Sequence, residues 1–254
     1  MNKATETALA EPFDDQTATA PERFAAMTAD GSITAVYQPI HSLHRDQTVG
    51  FEALARFHTD PYRSPDHWFR EADKSGCRLE LELHAITIAL QGLPALPRDA
   101  FLSVNASPST ITSGRLVGTL SGFPTERMVL EVTEQEPIAS YEEFADALRP
   151  LRAAGTQLAV DDVGAGNAGL MHIAHLNPDI IKLDRTVTAH IGSNRHIRAL
   201  TAAITGFATE IGCAVLAEGI ENDEQLTMMT TLGASLGQGY LLGRPEPIAQ
   251  QEEA

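Results

Sequence analysis

Residues 158–171 read LAVDDVGAGNAGLM, an apolar run that ends in Asp161 and Asp162 and passes through glycines into a second apolar segment. That order reads as strand, loop and helix, one unit of a parallel α/β fold. Gly164, Gly166 and Gly169 also spell G-x-G-x-x-G, with Asp184 following at the spacing of a dinucleotide-binding fingerprint. In that motif backbone amides and a helix N-terminus face a pyrophosphate, which two carboxylates at the entrance would repel. The aspartates therefore outweigh the glycines.

Working outward, the same unit recurs. Short apolar runs stand at 101–105 (FLSVN), 128–132 (MVLEV), 157–161 (QLAVD), 179–183 (DIIKL) and 213–218 (CAVLAE), with a weak one at 235–240 (SLGQGY). Between them lie segments with helical spacing, such as Tyr141, Phe144, Leu148 and Leu151, or Ile197, Leu200, Ile204, Phe207 and Ile211. Upstream, ITAVYQPI (33–40) reads as a strand ended by Pro39, QTVGFEALARF (47–57) as a second strand, and HTDPYRSPDHW (58–68) as a loop. PERFAAMTAD (21–30) suggests a short helix. Leu79, Leu83, Ile86, Leu90 and Leu93 predict another, although LELEL at its start also alternates like a strand.

Eight strand candidates separated by helices, with no linker between 21 and 248, predict a single closed (β/α)₈ barrel of the TIM type. The domain is expected to span 21–254, preceded by a flexible acidic arm over 1–20. Trp68 is expected to anchor a helix to the barrel. His172 and His175 are expected on the outer face of the helix after the 158–171 stretch.

The formal net charge of −16, from 34 acidic and 18 basic residues, repels polyanions and argues against a DNA or RNA duplex as partner. Two cysteines, Cys77 and Cys213, show no paired spacing, which points to a reducing compartment. The first 20 residues lack the basic start and long apolar stretch expected of a signal peptide, and no apolar run approaches a membrane span. A cytoplasmic location is the expectation.

The ends of the apolar runs carry the chemistry. They hold Glu52, Asn105, Glu131 with Glu134, Asp161 with Asp162, Lys182 with Asp184, Glu218 with Glu221, and Gln238. In a parallel barrel these ends meet on one face, and several convergent carboxylates repel one another unless cations neutralise them. An all-oxygen set without paired Cys or His suits Mg²⁺ or Mn²⁺ better than Zn²⁺. Adjacent aspartates suit a two-ion site for displacement at phosphorus, with Lys182 adding positive charge or orienting water.

Eight segments in order resemble the EAL family of cyclic di-GMP phosphodiesterases: YQPI (37–40), FEALARF (51–57), SVNASP (103–108), LEVTE (130–134), VDDVGAG (160–166), IIKLDR (180–185), AEGIE (217–221) and GQGYLLGRP (237–245). The resemblance covers about Ile33 to Pro247. It implies a TIM-like barrel with an antiparallel first strand and metal-dependent opening of cyclic di-GMP to the linear dinucleotide. Glu52, Asn105, Glu131 and Asp161 match the family's first metal ligands, Asp162 a ligand of the second ion, and Lys182 and Glu218 the residues around the attacking water. Gln38, Leu54, Arg56 and Gln238 match ligand contacts, and Glu134, Asp184 and Glu221 match supporting positions. A salt bridge or helix cap accounts for those last three equally well.

The family's loop commonly reads D-D-F-G-T-G-Y-S-S, whereas Val163, Ala165, Asn167, Ala168 and Gly169 stand here. That departure keeps every metal ligand but simplifies a loop that serves dimer contacts in relatives. A homodimer and a separate regulatory protein stay open as partners. Beside the enzyme stand two other readings, a cyclic di-GMP receptor with little turnover and a protein-interaction domain that has abandoned the nucleotide; the intact acidic set disfavours the latter.

Overall fold

The protein is described here by a computed structural model covering Phe24 and residues 31–45, 47–59, 61–133, 136–164 and 170–248. The 1–20 arm, most of the helix expected over 21–30, Glu134, and Ala165, Asn167, Ala168 and Gly169 lie outside the described residues.

Eight strands close into a barrel in sequence order: β1 (Ile33–Ser42), β2 (Gln47–Phe57), β3 (Phe101–Asn105), β4 (Met128–Thr133), β5 (Gln157–Val163), β6 (Ile180–Leu183), β7 (Ala214–Ala217) and β8 (Leu236–Gly237). β1 runs antiparallel to both β2 and β8, while every pair from β2 to β8 is parallel. The expected TIM-like barrel with an antiparallel first strand is therefore the fold of this chain.

Helices join the parallel strands, including α1 (Pro65–Lys74), α2 (Arg78–Gln91), α3 (Pro108–Thr112), α4 (Leu116–Leu120), α5 (Tyr141–Ala153), α6 (Leu170–Leu176), α7 (Arg185–His190), α8 (Arg195–Glu210) and α9 (Asp223–Thr231). Local sequence sets their starts. The Ser140 hydroxyl accepts from the Glu143 amide at α5, Asn194 accepts from His196 and Ile197 at α8, and Asn222 accepts from Gln225 at α9. Buried Phe144, Leu148 and Leu151 form the apolar stripe of α5. No helix among the described residues is long and apolar enough to cross a membrane.

Two expectations about boundaries are corrected. β1 continues past Pro39 to Ser42. Tyr37, which shares Pro39's orientation in the ladder, exchanges hydrogen bonds with Glu246 on the side away from β2, and β8 joins that side only at His41. Pro39 therefore sits at a gap where a missing N–H disrupts no ladder bond. Within the expected loop at 58–68, Pro65 starts α1, because a proline in the first turn gives up only an amide that would be orphaned. Trp68 is thus helical itself, and it stacks on Phe57 with centroids 6.2 Å apart, fastening α1 to the end of β2. LELEL lies within α2, where Leu83, Ile86 and Leu90 are buried.

The barrel interior contains an apolar cluster drawn from strands alone, centred on Ile40, Val129, Ala159, Ile180 and Leu216. Side chains two residues apart share a strand face, so the next layer is fixed by counting two along each strand. From Val129, Ala159, Ile180 and Leu216 the count leads to Glu131, Asp161, Lys182 and Glu218. On the reversed β1 it runs backwards, from Ile40 to Gln38. An apolar plug thus supports a charged layer at the C-terminal mouth.

Candidate metal centre

Period-two alternation would send Asp161 and Asp162 to opposite faces, yet both reach the mouth. β5 pairs with β6 through Val160–Ile181 and then Val163–Leu183, leaving two aspartates opposite the single Lys182. This bulge carries Asp162 at φ 60°, a left-handed conformation that aspartate tolerates better than most residues. Its amide donates to Asp161 Oδ1 at 2.8 Å, and its Oδ2 accepts from the Thr133 hydroxyl at 3.4 Å.

Lys182 is the hub. Only 1% exposed, its ammonium lies 2.7 Å from Glu131, 2.9 Å from Glu218, 3.1 Å from Asp161 and 3.7 Å from Glu52. Glu131 also accepts from the Ser103 hydroxyl. Glu52 accepts from Gln238 Nε2 at 2.8 Å and from Asn105 Nδ2 at 3.5 Å. Ligand atoms of Glu52, Glu131 and Asp161 lie within 4.8 Å of one another, as do those of Asp161, Asp162 and Glu218. Asp161 belongs to both groups.

One cation among four carboxylates leaves an excess of negative charge in a buried space. Burial pushes the Glu131 carboxyl well above the usual range; Lys182 opposes this, while Glu52 and Asp161 add to it. Glu218 is pushed up to about 8 by burial, with Lys182 opposing and Asp161 and Glu52 reinforcing. Burial, Asp161 and Asp184 raise Asp162 as well. Burial works against the charge on Lys182, but Asp161, Glu131, Glu218 and Glu52 outweigh it and hold its pKa well above normal.

The residues fit hard divalent cations. The donors are oxygens, the charge excess calls for positive charge, and the Oε1 of Gln238 is buried without a hydrogen-bond partner among the described residues. Glu131 and Glu218 bind protons more tightly in the folded chain than in the unfolded one. Without ions, their contribution to stability therefore falls as pH rises from the ordinary carboxylate value of 4.5 towards about 8. Mg²⁺ or Mn²⁺ is expected to raise the melting temperature, and by more near pH ~8 than near pH ~6, because ligation requires the deprotonated carboxylates. Calorimetry with and without ions at both pH values checks this; equal shifts would contradict it.

Two cavities flank the cluster, one of about 470 Å³ and one of about 240 Å³, and both are lined by Glu52 and Leu54. Arg56 lines the larger, where its Nη1 donates to the Ala55 carbonyl. Gln38, Gln238 and Glu221 line the smaller, and Gln38 donates to the Gly243 carbonyl at 3.1 Å. Gln238 reaches this position because Gly239 follows it: a Cβ on Gly239 would stand 2.2 Å from the backbone of Ile220. Asp184 caps α7, accepting from the Thr186 amide at 2.8 Å. Glu221 is exposed, and its amide donates to Gln225 Oε1. His172 and His175, on α6, pack against Tyr141 at the start of α5.

Sequence reading missed Ser103, Thr133 and the Arg78–Glu82–Glu136 group on the wall of the larger cavity. Ser103 was accessible in principle, since it stands two residues after Phe101, which packs against the apolar plug. The others depend on contacts distant in sequence.

A closed barrel with a reversed first strand and a mouth of strand-end carboxylates agrees with the match of the EAL domain profile to residues 22–245. The chain belongs to the EAL domain family. It is similar to the cyclic di-GMP phosphodiesterase RocR of Pseudomonas aeruginosa, 30% identical over 230 residues that cover 86% of this chain and 58% of RocR. The EAL enzyme Bd1971, solved with cAMP and cyclic di-GMP bound, superposes with a TM-score of 0.81 at 27% identity, covering 90% of this chain and 66% of that one. BlrP1 of Klebsiella pneumoniae, in a manganese and cyclic di-GMP complex, gives a TM-score of 0.76 at 28% identity, covering 86% and 57%. The EAL chain spans 58% of the length of RocR and 28% of that of a curated relative from Sinorhizobium fredii.

Proposed function

We propose that this EAL domain is a divalent-metal-dependent phosphodiesterase that opens cyclic di-GMP to the linear dinucleotide pGpG. The observation that carries the proposal is the bulge in β5, which turns two adjacent aspartates to one mouth and makes Asp161 common to two carboxylate groups beside Lys182. The names of RocR and BlrP1's ligand support cyclic di-GMP as the substrate.

In this reading Glu52, Asn105, Glu131 and Asp161 hold one Mg²⁺ or Mn²⁺, and Asp161 with Asp162 holds a second. Bound there, the ions would lower the pKa of water and offset charge developing on the phosphodiester. Lys182 orients the attacking water. Glu218 lies 2.9 Å from the Lys182 ammonium and takes the water's proton. The water oxygen bonds to phosphorus as the bond from phosphorus to one ribose 3′ oxygen breaks, and the departing oxygen gains a proton from solvent. Arg56 offers planar donors to a phosphate, and Leu54, Gln38 and Gln238 contact the ligand. Glu134, Asp184 and Glu221 support the loops around the mouth. The domain extends over 21–254, and homodimerisation or a separate regulatory protein would control it in the cytoplasm.

The test is incubation of the purified chain with cyclic di-GMP and Mg²⁺ or Mn²⁺, following the linear product by chromatography. Product that disappears on chelation and in Glu52→Ala is expected. Tight binding without product would make the chain a receptor, and neither binding nor product would overturn the nucleotide reading.

A further inference from the structure

Away from the carboxylate cluster, the larger cavity has a polar wall of its own. Arg78, at the start of α2, donates from Nε to Glu82 at 2.6 Å and from Nη2 to Glu136, just beyond β4. Glu82 is itself buried, and its other oxygen accepts from the Ser107 amide at 3.0 Å and hydroxyl at 2.7 Å. Ser107 caps α3, two residues after Asn105, so Arg78 is braced to the same segment that carries a proposed metal ligand. Arg78 Nη1 and Glu136 Oε2 have no hydrogen-bond partner among the described residues, and both side chains are 27% exposed. Leu54, Phe69 and Ile86 supply apolar walls.

A slot with apolar sides, one fixed guanidinium donor and one carboxylate acceptor suits a planar base of matching polarity. Guanine presents O6 and N7 as acceptors and N1–H and N2–H₂ as donors, so a guanidinium and a carboxylate satisfy its two edges together. Adenine places an unprotonated N1 where a carboxylate would meet a lone pair, leaving both unpaired. Resting on cyclic di-GMP as the ligand, the geometry points to Arg78 and Glu136 as the pair that reads one guanine and rejects adenine. Glu82 is a positioning residue that holds the Arg78 fork in place. Selection by a buried donor and acceptor is strong because the wrong base leaves them unsatisfied.

Calorimetric titration of the full chain with cyclic di-GMP and with cyclic di-AMP, in Ca²⁺ to limit turnover, tests the pair. Wild type should prefer cyclic di-GMP by a factor of about a hundred or more. Glu136→Gln, whose amide can both donate and accept, should reduce that preference by about tenfold or more, through weaker guanine and stronger adenine binding. Arg78→Met should lower it through weaker guanine binding. Equal weakening of both ligands in Glu136→Gln would make the pair a structural latch and overturn the inference, as would unselective binding, or no binding, by wild type. Selective binding with no hydrolysis in Mg²⁺ or Mn²⁺ would leave the inference standing and remove the phosphodiesterase reading.

Discussion

Replacing Lys182 by Met should destabilise the ion-free EAL domain by about 3–5 kcal/mol, because the change leaves buried carboxylates without their cation. For a chain of this size that corresponds to a fall of about 10 °C in melting temperature. Glu131, Glu218, Asp161 and Glu52 all stand within 3.7 Å of the ammonium, so all four lose its compensation together. Without Lys182 to oppose burial, Glu131 and Glu218 take up protons more readily still, and the loss of stability should deepen as pH rises from about 5 to about 8. Divalent ions should recover part of it. Urea unfolding of both proteins across that pH range, with and without Mg²⁺, reads all three effects, and a variant as stable as wild type would contradict the charged layer described here.

Asp161→Asn should have the opposite balance. Asp161 is shared by both carboxylate groups, so one substitution weakens both proposed ion sites and should lower the rate of hydrolysis by more than about a thousandfold. Asparagine keeps an oxygen for the Asp162 amide, which bonds Asp161 Oδ1 at 2.8 Å, so the bulge survives. Removing a negative charge from the cluster should leave the ion-free domain at least as stable as wild type, a trade of stability against activity common at functional sites. Initial rates in Mn²⁺ and melting temperatures in chelator measure the two sides. Equal loss of both would indicate that Asp161 is chiefly structural.

The barrel was legible because its strands repeat a simple grammar: an apolar residue facing the plug, then two residues later a polar one facing the mouth. Val129–Glu131, Ala159–Asp161, Ile180–Lys182 and Leu216–Glu218 all follow it. β8 was faint in sequence for a physical reason: the strand is only Leu236–Gly237, and the Gln238 that follows, whose amide donates to the Ala217 carbonyl, is placed by the close approach of Gly239 to Ile220. The orientation of Asp162 was not legible, since it depends on a one-residue slip against β6 that period-two counting does not reveal. Glu52 looked like a strand end but lies within β2, which continues five residues beyond it because the antiparallel partner β1 extends the ladder to Ile33. Arg78, Glu82 and Glu136 read as ordinary helix and loop charges until the fold brings them onto one cavity wall.

The most direct test of the metal-centre account is hydrolysis of cyclic di-GMP in isotopically labelled water with Mn²⁺, followed by mass spectrometry of the product. The account predicts a linear dinucleotide carrying one labelled oxygen on its terminal phosphate, formed by wild type and reduced by more than about a thousandfold in Asp161→Asn. Absence of linear product from the wild-type chain, or product without the label, would contradict it.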